Sequence, residues 1–280
     1  MNLLRILLIL QFAFLSFASS ALSDCVIKMT FKEGDKLPLI AKNPDNSGAY
    51  SELFSLAAEK IGCKITITRL PKKRLHRQLE KGELDFYPGA SFSNKRAEYL
   101  YYIDNGFTTA EYGITSINSS EIFNFQQVKE FNLIWLMELG SSKNEPANKN
   151  GVQTMPVRFA DIEKARYLIS KGRNIFYIAD KELVDYYLKR TGYRSFKDAG
   201  LKVHYGCCGD KVPMYMGFSR LSPHFKERPN PKYDKTKKLS PSNSPTVIDP
   251  GCVAYKLGQA LMEIKASGKT AQIYQKYFLK

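Results

Sequence analysis

Apolar positions along this chain switch repeatedly between a strand period and a helix period. The run Cys25-Val26-Ile27-Lys28-Met29-Thr30-Phe31 predicts a first strand. After a polar, turn-rich stretch, Leu53, Phe54, Leu56, Ala57 and Ile61 recur at helical spacing over residues 50–61, and Gly62 ends them. Ile65 and Ile67, flanked by threonines, predict a second strand. Pro71 suits the first turn of a helix running to Lys81, and residues 84–88 predict a third strand. Helix, glycine, strand in repetition predicts an α/β fold with mostly parallel sheets and flanking helices.

One phrase occurs twice. Leu79-Glu80-Lys81-Gly82-Glu83-Leu84-Asp85-Phe86-Tyr87 is echoed by Ile169-Ser170-Lys171-Gly172-Arg173-Asn174-Ile175-Phe176-Tyr177. Each copy reads as a last helical turn, a glycine at positive φ, and a strand that starts at once. Two such units, too far apart to stack as a solenoid, predict two lobes with a ligand crevice between them. Crossings near residues 108–111 and 213–217 predict a two-stranded hinge. The expected division is lobe one over residues 22–110 and 214–280, and lobe two over residues 111–213. Residues 253–266 predict a helix stopped by Gly268, and residues 223–250, rich in Pro, Ser and Lys, predict a long surface loop.

A chain of 280 residues, 44% hydrophobic, supplies enough apolar surface for two cores. Residues 1–21 are set apart. A short positive start ending at Arg5, an apolar core over residues 6–17 and small Ala18-Ser19-Ser20-Ala21 form the pattern of a cleaved secretory signal, too short to span a membrane comfortably. The mature protein is therefore expected to be exported and soluble, in an oxidising compartment where cysteines pair. Cys25 and Cys63 precede neighbouring strands at one sheet end and are expected to bridge. Cys252 is expected to pair with Cys207 or Cys208, with Cys208 preferred; a vicinal Cys207–Cys208 bridge is the strained alternative. The net charge of +15 is spread without an arginine-rich run, which argues against nucleic acid and for a solvated basic surface.

Several motifs, in their order and spacing, resemble the periplasmic solute-binding proteins of the polar amino acid type, family 3. They are the helix over residues 50–61, Arg74 through Asp85 with its Leu-x-x-Gly-x-x-Asp ending, and Gly89-Ala90-Ser91-Phe92-Ser93-Asn94-Lys95-Arg96. Gly140-Ser141-Ser142, Lys171-Gly172-Arg173 followed by Asp180, and the closing Ile273-Tyr274-Gln275-Lys276-Tyr277-Phe278 complete the set. The resemblance implies a two-lobed, type II periplasmic-binding fold that closes on a small solute, such as an amino acid, and delivers it to the permease of an inner-membrane ABC transporter. It implies a monomer, no catalytic residue, no metal and no cofactor.

The same resemblance assigns roles. Arg96 would grip a ligand carboxylate through its planar fork, with Ser91, Ser141 and Ser142 supplying further donors. Asp180 would accept the ligand ammonium. The pattern departs from the family at Lys72-Lys73-Arg74, where relatives commonly carry a stacking aromatic residue; this basic rim would favour a ligand with extra negative charge. Asn174-Ile175 also departs from the family pattern. Two rival functions belong to the same fold: a periplasmic enzyme resembling cyclohexadienyl dehydratases, and a ligand sensor read by a membrane receptor. His204 near Cys207-Cys208 matches no zinc spacing, and His76 and His224 have no evident carboxylate partner in the sequence.

Overall fold

A computed structural model describes residues 25–279; the signal-like segment lies outside them. In chain order the elements are β1 (Cys25–Lys32), α1 (Ala49–Lys60), β2 (Cys63–Leu70), α2 (Lys72–Glu80), β3 (Phe86–Ala90), α3 (Asn94–Ala97), β4 (Leu100–Thr109) and β5 (Glu111–Ser116). Then come α4 (Phe125–Glu130), β6 (Ile134–Glu138), α5 (Asn144–Lys149), β7 (Thr154–Val157), α6 (Ile162–Ser170), β8 (Ile175–Asp180), α7 (Lys181–Thr191) and β9 (Leu201–His204). The chain closes with β10 (Val212–Ser219), β11 (Glu227–Pro229), β12 (Thr246–Ile248), α8 (Val253–Ala266) and α9 (Lys269–Tyr274).

These elements build a two-lobed α/β fold of the periplasmic-binding type. One five-stranded sheet has the order β2-β1-β3-β10-β4 and the other β7-β6-β8-β5-β9. In each sheet the helix–glycine–strand units supply the parallel pairings: β1 with β2 and β3, β6 with β7 and β8. The strands that carry the chain across add antiparallel pairings, so both sheets are mixed. Val212 lies opposite Thr109 and Pro213 opposite Thr108, so the two connecting segments run side by side.

Each sheet is buried by its helices. In the first lobe, Leu53 and Phe54 of α1, Phe86 of β3, Phe218 of β10 and Leu257 of α8 belong to one core. In the second, alternate residues of β6 face opposite sides: Trp135 and Met137 pack with Val128 of α4 and Ala147 of α5, while Leu136 packs with Ala165 of α6. Period-two alternation across a sheet covered on both faces requires that split.

Asp85 marks a position where the two copies of the doubled phrase differ. Its buried carboxylate accepts the Lys28 backbone N–H at 2.6 Å and the Ser222 hydroxyl at 2.5 Å, while its own N–H donates to the Lys28 carbonyl at 3.0 Å. The aspartate thus clamps β3 against β1 from inside. In the second copy Ile175 takes the strand-entry position and is buried among apolar side chains, which need no acceptor there.

The cysteines follow the sequence in one lobe and depart from it in the other. Cys25 and Cys63 are register partners and form a disulfide. The expected Cys208–Cys252 bridge is absent: Cys207 is joined to Cys208, and Cys252 is a buried free thiol. Position decides this. Cys252 stands at the N-cap of α8 and packs into the first lobe's core, whereas Cys207 packs in the second lobe with Trp135 and Phe176. Residues 223–250 are likewise not a tethered bare loop. Phe225 is buried in the first core, β11 pairs with β12, and the Asn243 amide donates to the carbonyls of Asp234, Lys237 and Lys238.

Candidate functional site

The parallel strands of both sheets point their C-terminal ends at one cleft. Lys32 ends β1, Ala90 ends β3, Glu138 ends β6 and Asp180 ends β8. Open α/β sheets bind ligands at that edge. The cleft encloses about 160 Å³ and is lined from one side by Lys32, Lys36, Lys72, Ser91 and Arg96, and from the other by Glu138, Ser141, Ser142, Lys143 and Asp180.

Arg96 is set by α3, a single turn whose N-cap Ser93 accepts the Arg96 backbone N–H at 3.3 Å. Its buried guanidinium donates to the Ser91 carbonyl at 3.3 Å and, across the cleft, to the Gly140 carbonyl at 2.9 Å. Ser91 therefore meets Arg96 through its backbone, and its carbonyl also accepts the Tyr102 hydroxyl at 3.3 Å. Gly140 is required where it stands. At φ +85°, a Cβ there would lie 3.1 Å from the backbone nitrogen of Lys73, so only glycine lets this loop approach the start of α2. The Ser141 hydroxyl accepts the Lys143 N–H at 3.2 Å, and the loop enters the six-residue α5.

Asp180 occupies the N-cap position of α7 but does not cap it. Its carboxylate pairs across the cleft with Lys36 instead. Burial alone would raise the Asp180 carboxyl, and the Lys36 ammonium beside it outweighs that and holds it below the usual carboxylate range. Burial alone would likewise lower Lys36, and Asp180 reverses the direction, so the ammonium is held above its ordinary value. A second cross-cleft group joins Glu138 to Lys32 at 3.3 Å and to Lys72 at 3.5 Å. Burial pushes Lys72 down to about 7 despite Glu138, and Lys32, Arg96 and Lys36 push the same way.

The basic rim expected at residues 72–74 thus divides. Lys72 turns into the cleft, whereas Lys73 and Arg74 are exposed on the outer side of α2. Five charged residues to which the sequence assigned no role also line the cleft: Lys32 and Lys36 on one side, and Glu138 with the paired Glu111 and Lys143 on the other. Glu138 has a faint signal, a carboxylate ending an apolar strand just ahead of a glycine. Lys36 has none, because its turn is built from long-range packing of Leu39 and Ile40.

The histidines have structural surroundings. His204 is buried, meeting the Thr115 hydroxyl at 2.7 Å, the Ile122 N–H at 3.1 Å and Glu121 at 3.0 Å, while its cysteine neighbours are bridged to one another. His224 meets the Val26 carbonyl at 3.0 Å. His76 meets Tyr99 at 3.1 Å, and burial, with Arg96 and Lys72 nearby, drives it well below the ordinary imidazole value.

Known structures resemble this fold closely at low identity. An ancestral arginine-binding protein bound to arginine aligns with 17% identity and a TM-score of 0.63, over 90% of this chain and 98% of that one. The ligand-binding core of GluR0 in complex with L-glutamate aligns with 13% identity and a TM-score of 0.65, over 91% and 99%. A structure from the study of glutathione import through GshT and the cystine ABC importer TcyBC of Streptococcus mutans aligns with 13% identity and a TM-score of 0.66, over 91% and 95%. No curated protein matches the chain. The two mixed sheets, the cleft at their strand ends and a family match spanning residues 33–280 together place this chain among the bacterial extracellular solute-binding proteins, family 3.

Proposed function

We propose that the mature protein captures a small polar solute, an amino acid or a related carboxylate, in the cleft between its lobes. The capturing unit is a periplasmic monomer, and it hands the solute to the permease of an inner-membrane ABC importer without turning it over. The moving bodies are residues 22–110 with 214–280, and residues 111–213. Arg96 is the ligand's carboxylate anchor, Ser91, Ser141 and Ser142 flank it, and Asp180 acts through Lys36.

The supporting observation is Arg96 itself. It is a buried guanidinium at the lobe boundary whose hydrogen bonds go to backbone carbonyls, Ser91 on one side and Gly140 on the other. A carboxylate placed there would touch groups from both lobes, so binding would favour the closed state through contacts the open state lacks.

Thermal unfolding of ligand-stripped protein against amino acids and small carboxylates tests the reading. A ligand at one hundred times its dissociation constant stabilises by about 2.7 kcal/mol, a rise of roughly 5–10 °C for a chain of this length. A rise with one chemical class supports solute capture. No rise with any compound, with lobes that stay fixed in solution, contradicts it.

A further inference from the structure

Every carboxylate that lines the cleft is already engaged by the protein. Asp35 meets Arg190 at 3.2 Å, Glu111 meets Lys143, and Asp180 meets Lys36. Glu138 meets two lysines, Asp161 accepts the Lys164 N–H at 2.7 Å, and Glu163 holds Arg166 at 3.0 Å and the Tyr187 hydroxyl at 2.6 Å. The cations are not matched in return. Arg96 has no carboxylate partner among the described residues, and Lys32 and Lys72 share one.

Lys36 is not a surface chain that happens to fall inward. Its N–H donates to the Ile40 carbonyl at 2.8 Å, and its carbonyl accepts from Leu39 at 2.8 Å and Ile40 at 3.1 Å. Leu39 and Ile40 are fully buried, so the turn that carries Lys36 is anchored in the first core. The protein thereby supplies, from its own backbone-fixed side chain, the ammonium that Asp180 would otherwise take from a ligand.

Resting on the solute-binding reading above, the geometry points to a ligand class: a small carboxylate that carries no ammonium and offers a hydroxyl to Glu138. An α-ammonium would have to expel Lys36 from Asp180, leaving a half-buried cation unpaired inside the cleft. At Glu138 it would stand as a third cation beside Lys32 and Lys72. A carboxylate breaks no ion pair, because Arg96 donates only to the neutral Ser91 and Gly140 carbonyls and meets no competing anion among the described residues. Glu138 Oε1 is buried and lacks a hydrogen-bond donor, and a neutral hydroxyl satisfies it without adding charge.

The test compares pairs that differ only in hydroxyl against ammonium: L-malate with L-aspartate, L-2-hydroxyglutarate with L-glutamate, and L-lactate with L-alanine. Calorimetric titration of the ligand-stripped mature protein should show the hydroxy acid binding at least about tenfold tighter in a pair that binds at all. In K36M, with Asp180 freed, that preference should shrink or invert. If K36M does not fold, K36M/D180N buries no lone charge and should keep the hydroxy acid preference. An amino acid binding as tightly as its hydroxy partner in the wild-type protein overturns the inference while leaving solute capture intact; so does an unchanged preference in K36M, or its loss in K36M/D180N. Silence of both members of all pairs overturns the solute-binding reading and the inference together.

Discussion

Raising the pH from 7 to 9 should weaken capture of an anion about 50-fold, and a single lysine should carry the effect. Lys72 lies against Glu138 in the cleft with its pKa pushed down to about 7 by burial, then by Lys32, Arg96 and Lys36. A bound carboxylate beside it favours the ammonium, so binding takes up a proton above that pH. The dissociation constant then scales as one plus ten to the power of pH minus 7, which gives about 50-fold, or about 2.3 kcal/mol, between pH 7 and 9. The neighbouring aromatic groups do not compete: burial drives His76 well below the ordinary imidazole value and pushes Tyr87 and Tyr177 up. The same shift has a signature in the free protein. A folded pKa below the ordinary lysine value means the unfolded chain holds the extra proton, so stability from this group rises between pH 7 and 10.5 and its full cost is present below 7. Calorimetric titration at several pH values, with wild type and Lys72→Met, reads the binding effect directly; Lys32 remains to pair Glu138 in the variant. A flat dissociation constant from pH 7 to 9, or an equal slope in Lys72→Met, would rule out Lys72 as the titrating group.

The two echoed glycines should separate in equilibrium unfolding. Gly82→Ala would place a Cβ 2.3 Å from the Leu221 carbonyl oxygen, whereas Gly172→Ala meets nothing within 4 Å; the second should cost about 1–2 kcal/mol, from left-handed strain alone, and the first clearly more. Asp85→Ala strands the Lys28 N–H and the Ser222 hydroxyl and should destabilise by about 3 kcal/mol, read from the denaturant midpoint. Reduction-free alkylation of denatured protein should label one thiol per chain, at Cys252, and leave Cys207 and Cys208 protected. Cys63→Ser opens a bridge with a sequence separation of 38 and should lower stability by about 4 kcal/mol on loop entropy.

The parts of the molecule legible in the sequence are those written in local chemistry. Helices ended by Gly62, Gly82 and Gly172 needed only spacing and a positive φ, and all three glycines adopt it. The Cys25–Cys63 bridge was legible because two adjacent parallel strands put both residues at one end. Arg96, which the family-like motif singles out, lines the cleft. What stayed hidden depends on contacts between distant segments. Lys36 reaches Asp180, far from it in sequence, only because the apolar turn that carries Lys36 docks into the first core. Lys72 and Lys73 are neighbours in sequence, yet the helix start sends one into the cleft and the other to solvent, which no composition rule separates. The cysteine pairing failed for a similar reason: the return of the chain at β10 places Cys252 in one lobe's core and Cys207 in the other's.

Solute capture as proposed seats a ligand between the lobes with its carboxylate on Arg96. The most direct measurement is calorimetric titration of the best ligand into wild type, Arg96→Lys and Arg96→Ala, with folding checked by unfolding midpoints. Affinity should fall by about 100-fold or more in Arg96→Ala, because a buried charge-assisted contact is removed. Recovery in Arg96→Lys should be only partial, since lysine keeps the charge but not the fork. An Arg96→Ala protein that is folded and binds as tightly as wild type would contradict that seating.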